Sequence, residues 1–347
     1  YHHLQDNIRY VNVDIDIGGL KPYAASYVCD KKYGDCKALT IYMKALLKFA
    51  GIPSHYTLVR AGQTVTPIDT EHPGQQFNHV ILCVPMGKDT VWLENTARYL
   101  PYNYLGTFTQ NRHALLVDGI NSRLINITAM KPTDVEEHMV SQLTIDQQGN
   151  GEVKATYRLR GRKFEQFRYL ISEGSTEDQK EQVAALTPFI NYQNLSWTIA
   201  SQERDARELT IQLSMDISRH IRKLGQTLAV KPPPVQLFDQ ELDRPDSRKQ
   251  PFRLDFPLYR TDSLIYTLSF LERFQAELPA AAAIHTAYGS FTESYTLDHA
   301  TSRIIVHRQL LIKPGVYPVT EYAGFFAFIE QIKKHHQQAN LVFHPKT

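Results

Sequence analysis

In the stretch KKYGDCKALTIYMKALLKFAGI, Lys31 to Ile52, a cysteine follows a Gly-Asp turn and opens a helix-forming run. A thiol at the first turn of a helix meets N–H groups without intrahelical acceptors and the positive end of the dipole, and both favour thiolate. The same N–H groups can hold the oxyanion formed when a thiolate attacks a carbonyl. Cys36 therefore points to nucleophilic attack on an acyl carbon; the bland alternative is a small apolar residue tucked beneath the turn. His79 lies in FNHVILCVP, and an imidazole inside so apolar a strand needs a partner. Either it bonds a backbone carbonyl or it is the base that takes the Cys36 proton. Glu94, in TVWLEN, is the candidate third member. If PMGK is a four-residue hairpin loop and Val84 pairs with Asp89, His79 lies opposite Glu94 on the same face. A carboxylate there can accept from one ring nitrogen and leave the other facing the thiol. A slip of one residue would undo the pairing, and the alternative for Glu94 is a solvated strand-end carboxylate.

Three kinds of element must hold these residues. The helix is expected from Cys36 to about Ala50, with Leu39, Tyr42, Met43, Leu46 and Ala50 as its buried stripe and Lys37, Lys44 and Lys48 on the wet side. Asp35 is its N-cap and Gly51 its stop. HYTLVR, FNHVILCV and TVWLEN read as strands, preceded by strand-like IRYVNVDI. Residues 1–132 are thus expected to form an α/β catalytic core. Residues 133–230 read as β-rich with a helical insert. The hairpin MVSQLTIDQQGNGEVKATYRLRG opens this part, Phe164, Phe167 and Leu170–Ile171 stripe one helix, and Ser175 to Asp178 starts a second with a capping box. A linker or long loop from Lys231 (KPPP, then DQELDRPDSRKQP) leads into residues 231–347. There DSLIYTLSF places Leu264, Tyr266, Leu268 and Phe270 on one face, SFTESYTLD pairs with TSRIIVHRQLLIK, and a last helix from about Thr320 to Gln338 turns Tyr322, Phe325, Ile329 and Ile332 inward.

The bulk properties narrow the class. A chain of 347 residues implies two or three domains, and 42% hydrophobic with 21% charged residues fits a globular protein. A formal charge of +2 gives no electrostatic case for nucleic acid or a membrane surface. No apolar run reaches the ~18 residues that would span a bilayer. The opening YHHLQDNIRYV reads as the tail of a helix entering a strand, so an upstream part is expected to be missing and the lack of a signal peptide carries no information. The cysteines, Cys29, Cys36 and Cys83, contain no CxxC spacing for zinc; with Cys36 set aside as reactive, a Cys29–Cys83 bridge is the pairing left. His2–His3 and His335–His336 are adjacent on helices and splay too widely for one metal. Asp14 and Asp16 share a strand face, an arrangement open to calcium. Trp92 and Trp197 are expected in cores. Tyr157, Phe291 and Tyr295 read as core, with a glycan or peptide surface as the alternative. No cofactor or metal is expected.

YGDCKALTIYMKALLKFAGI, FNHVIL and WLENTARYLPYNYLG together resemble the transglutaminase-like superfamily, which uses a papain-type Cys-His-Asp arrangement. The similarity is closest to a bacterial multidomain branch in which this core carries β-rich flanking domains; IGGLKPYAAS and RHALLVDG share it. The resemblance implies an α+β fold: a transglutaminase-like (papain-type) core with a helix on an antiparallel sheet, followed by two β-rich, sandwich-like domains. It implies Cys36 as nucleophile, His79 as base and Glu94 in the position usually held by Asp. Asn95 is a substitute for Glu94 should a bulge turn it to that face, Tyr33 a candidate oxyanion donor, and Asp35 a support at the turn. It implies a cysteine protease or amidase acting on a peptide or other amide-bearing substrate, including one of the cell envelope or linked to glycan. The alternatives are a cross-linking transglutaminase and a retired scaffold that binds peptide or glycan. Related proteins are exported, which implies a periplasmic or cell-surface location.

Overall fold

The computed structural model describes residues 1–12, 19, 21–63, 65–200, 203–238 and 241–346. Asp14 and Asp16 lie outside the described residues. The chain divides into two compact units, one of Tyr1–Met130 with Arg168–Gly174 and Glu203–Arg207, the other of Lys131–Phe167, Ser175–Gln202 and Glu208–Thr347. The architecture is mixed α and β, rich in strands and built on several sheets. Among the described residues no helix is long and apolar enough to cross a membrane.

In the first unit α1 (His2–Asn7), β1 (Arg9–Tyr10), α2 (Ala25–Lys31), β2 (Tyr33–Gly34) and α3 (Cys36–Phe49) precede β3 (His55–Val59), β4 (His79–Met86), β5 (Asp89–Leu93), β6 (Arg112–Val117) and β7 (Arg123–Ile127). Strands β3 to β7 form an antiparallel sheet ordered β5-β4-β3-β6-β7. Alternation along the strands gives each face its own core. Leu82, Val84 and Leu93 pack under Leu39, Tyr42 and Met43 of α3, together with Leu4, Ile8 and Val28. Val59, Ile81, Ala114 and Ile127 build the opposite core with Ala61 and Leu105. The periodic stripe of α3 runs out early: Leu46 is 37% exposed, Phe49 is 96% exposed, and Ala50 is also exposed. Periodicity marks one face of a helix, but how far along its axis that face is covered depends on the sheet beneath it. Cys29 is exposed and Cys83 buried, and both are free thiols, so the bridge open from their count is not made.

The second unit holds β8 (Glu136–Ile145), β9 (Gly151–Leu159), α4 (Gly161–Glu173, which belongs to the first unit from Arg168 on), α5 (Thr176–Leu186), β10 (Tyr192–Ile199), β11 (Leu209–Ile217), β12 (Ile221–Leu224), β13 (Thr227–Val230), β14 (Phe252–Leu254), β15 (Leu258–Leu268), β16 (Phe274–Glu277), β17 (Ala282–Thr286), β18 (Gly289–Asp298), β19 (Arg303–Ile312), β20 (Gly315–Tyr317), α6 (Val319–Gln338) and β21 (Leu341–Pro345). Its main sheet is ordered β10-β11-β9-β8-β15-β19-β18-β17. β8 and β15 pair in parallel over ten residue pairs, so segments on both sides of residue 230 share one ladder rather than closing two separate sandwiches. Parallel pairing between strands this far apart leaves no local mark in the sequence. The β8–β9 hairpin, the Ser175–Asp178 capping box and the β18–β19 pair occupy the segments read from the sequence. Tyr322, Phe325, Ile329 and Ile332 of α6 are buried against Phe291, Leu310 and Ile312.

Candidate active site

The turn before α3 is built to bring backbone and helix close. A Cβ on Gly34 would sit 2.9 Å from Ala38 Cβ and 3.3 Å from Val28, closer than side chains pack, so glycine alone lets the turn lie on the helix start. Asp35 is the extended N-cap residue, and its Oδ1 accepts from the Ala38 N–H at 2.9 Å. Its Oδ2 meets Lys37 Nζ at 2.7 Å, with both side chains 3% exposed. Lys37 is therefore buried, not on the wet side of α3; its charge is matched by the capping carboxylate, a pairing that polarity patterning does not reveal. Asp35 O takes the Leu39 N–H, which leaves the N–H groups of Cys36 and Lys37 without intrahelical acceptors at the helix mouth. Cys36 is 6% exposed.

His79 opens β4, and its strand end is pinned because the Asn78 side chain exchanges hydrogen bonds of 2.7 and 2.9 Å with the backbone of Ala61. Across the hairpin Leu82 pairs with Leu93, Val84 with Val91 and Met86 with Asp89. The register thus differs by two residues from the expected one, because the connection is a two-residue turn, Gly87–Lys88, with Gly87 at φ +66°. A shift of two keeps every side chain on its face. Glu94, one residue past β5, is a diagonal neighbour of His79 rather than its direct opposite, and its longer side chain spans the offset. His79 Nε2 and Glu94 Oε2 lie 2.8 Å apart. Nδ1 is the nitrogen left for Cys36, whose side chain lies close enough to raise the pKa of the ring. Phe108 tilts against the imidazole, with ring centroids 5.5 Å apart.

Glu94 is 0% exposed and fully engaged. Thr96 donates to its Oε1 from Oγ1 at 2.6 Å and from the backbone N–H at 3.1 Å, and Tyr1 Oη donates to its backbone carbonyl at 2.8 Å. Burial opposes charge on His79, but the Glu94 carboxylate, the nearby Cys36 side chain and the hydrogen bond with Glu94 override it and raise the pKa to about 10. Burial would likewise raise the Glu94 carboxyl, yet His79 and the two Thr96 donors bring it below its usual range. At neutral pH the pair is therefore imidazolium and carboxylate. An imidazole anchored at one nitrogen and facing a thiol at the other can hold and return a proton at a sulfur.

The remaining candidates are placed elsewhere. Asn95 Nδ2 donates to Thr40 Oγ1 at 3.1 Å and to Leu93 O at 3.4 Å, so it braces α3 and is not turned to His79. Tyr33 Oη pairs with Tyr27 Oη at 2.9 Å on an exposed face. Tyr56, unremarked in the sequence, makes no side-chain hydrogen bond among the described residues; burial first, then Cys36 and Asp35, raise its pKa. The hydroxyl two residues beyond Glu94 was the available signal for Thr96, whereas Tyr1, 93 positions away, left none. Among the described residues no group of three or more His, Cys, Asp or Glu is arranged to hold a metal ion. His335 and His336 instead flank the buried Glu293 carboxylate at 3.7 and 3.5 Å.

Residues 226–343 match a family described as "Domain of Unknown Function with solved-structure structure (DUF3858)". No curated protein matches the chain. The crystal structure of a "putative protease" from Parabacteroides distasonis aligns with a TM-score of 0.51 at 14% identity, over 98% of this chain and 50% of that chain. The two share a fold, and this chain spans half the length of the solved one. The crystal structure of baculovirus P35 aligns over 63% of this chain and 99% of that chain at 9% identity, with a TM-score of 0.13 that carries no argument.

Proposed function

We propose that the chain is a cysteine-dependent acyl-transfer enzyme acting on amide bonds, a protease or amidase with a transglutaminase-like, papain-type core in residues 1–130. The observation that carries this reading is the contact series from the Cys36 side chain through the His79 ring to the buried Glu94 carboxylate, at the mouth of α3. In the reaction, Cys36 sulfur bonds to the amide carbon and the carbonyl electron pair moves to oxygen, where the first-turn N–H groups of Cys36 and Lys37 can receive it. His79 gives its proton to the departing nitrogen as the C–N bond breaks. Water then loses a proton to His79 and adds to the thioester, and the thiolate leaves; an amine in place of water makes the outcome cross-linking. Glu94 keeps the imidazole oriented and supports its charge. The fold shared with the protein named "putative protease" agrees with hydrolysis.

The test is alkylation by a thiol-directed probe, read at Cys36 by peptide mass spectrometry, in the wild type and in Cys36→Ala and His79→Ala variants. Rapid labelling of Cys36 that falls at least tenfold without His79 supports the reading. Labelling no faster than at the exposed Cys29, or unchanged in His79→Ala, refutes it and leaves a scaffold that binds rather than reacts.

A further inference from the structure

We propose that Thr96 is a positioning residue that fits a glutamate, and not the shorter aspartate, to the acidic place in this site; this rests on the roles given above to Cys36 and His79. The argument starts from where residue 94 lies. β5 ends at Leu93, so no ladder pairing holds Glu94, and its side chain brings three rotatable bonds to a place where orientation matters. Left alone, such a carboxylate would sweep a range of positions around the ring. Its functional atoms are nevertheless all assigned. Oε2 meets His79 Nε2 at 2.8 Å, Oε1 receives Thr96 Oγ1 at 2.6 Å and Thr96 N–H at 3.1 Å, and the backbone carbonyl receives Tyr1 Oη at 2.8 Å. Thr96 thus closes a short loop from its own hydroxyl and amide onto one oxygen, which aims the other oxygen at the imidazole. Hydrogen bonds to a buried carboxylate are among the stronger ones, and no water-exposed surface offers Glu94 a substitute. An aspartate at the same backbone position ends about 1.5 Å short. It can meet Thr96 or approach His79, but it does not span both.

Five variants test this: Thr96→Val, which keeps shape and removes the hydroxyl; Thr96→Ser, which restores it; Glu94→Asp; Glu94→Gln; and Thr96→Val combined with Glu94→Gln. Two readouts are taken, the Cys36 alkylation rate by iodoacetamide at neutral pH, with Cys29 as internal reference, and the His79 ring titration by NMR. Thr96→Val is expected to slow alkylation about tenfold and to lower the His79 midpoint by about one unit. Thr96→Ser restores both, and Glu94→Asp fails at least as badly as Thr96→Val. In the Glu94→Gln background the valine adds less than about a twofold further loss, because the atom it acted through has changed. The assignment is overturned by an unchanged midpoint in Thr96→Val, by Glu94→Asp matching the wild type, or by an equal valine loss in the Glu94→Gln background, which would mean general packing. Wild-type Cys36 that reacts no faster than Cys29 is a separate result; it refutes the acyl-transfer reading and this assignment with it.

Discussion

Replacing Glu94 by Gln should flatten the pH dependence of folding in the window where His79 titrates. The ring moves from an ordinary 6.5 to about 10 on folding, although burial alone would move it the other way. At about 1.4 kcal/mol per unit, the displacement is worth on the order of 4 to 5 kcal/mol. This is an upper bound, because the same pair also bears the cost of burying a carboxylate. The direction follows from proton counting. Between pH 6.5 and about 10 the folded chain holds a proton on His79 that the unfolded chain has released, so the contribution is full below 6.5 and lost as pH rises through 10. Glu94, shifted down, contributes above its unfolded 4.5 and loses that contribution as pH falls through its lower folded value. Cys83, buried in β4, reports opening of the first unit, so urea-dependent labelling of Cys83 read by mass spectrometry isolates the relevant transition. Between pH 6.5 and 10.5 the wild type should lose up to about 4 kcal/mol more than Glu94→Gln. Parallel stability curves would refute the assignment of a charged, buried His79–Glu94 pair.

Lys37→Met leaves the Asp35 carboxylate buried without its cation and should destabilise the first unit by about 3 to 5 kcal/mol, whereas the double variant Lys37→Met with Asp35→Asn should recover most of the loss; the Cys83 labelling assay reads both. Gly87→Val forces a β-branched residue into φ +66° with open space around it, so its cost is backbone strain of about 1 to 2 kcal/mol, seen as a lower urea midpoint for the same unit. In the second unit Arg308 Nε lies 2.9 Å from the fully buried Glu293, and Arg308→Leu should cost about 3 to 5 kcal/mol by tryptophan fluorescence of Trp197, with alkylation of Cys36 unchanged.

Much of the local structure was legible because it rests on spacing and end signals. Asp35 before Cys36 and Gly51 after Ala50 bounded α3, and the alternation in VILCV told which side chains share a face with His79. The index of the cross-strand partner was not legible, since it depends on whether two or four residues turn the hairpin. Even so, an even-numbered slip preserved the face. Lys37 was misread because residue type stood in for environment; a lysine beside a helix cap is buried when the cap supplies its counter-charge.

The signals written in the chain are therefore local: a thiol at a helix mouth, an imidazole in an apolar strand, a carboxylate near the end of the next strand, and the caps and turns around them. These follow from backbone geometry within a few residues. Tertiary structure alone decided that Tyr1 holds the Glu94 carbonyl and that β8 and β15 join distant segments in one sheet. Such contacts form where chain segments far apart are brought together by burial of their apolar faces, and no periodicity in one segment encodes the position of another.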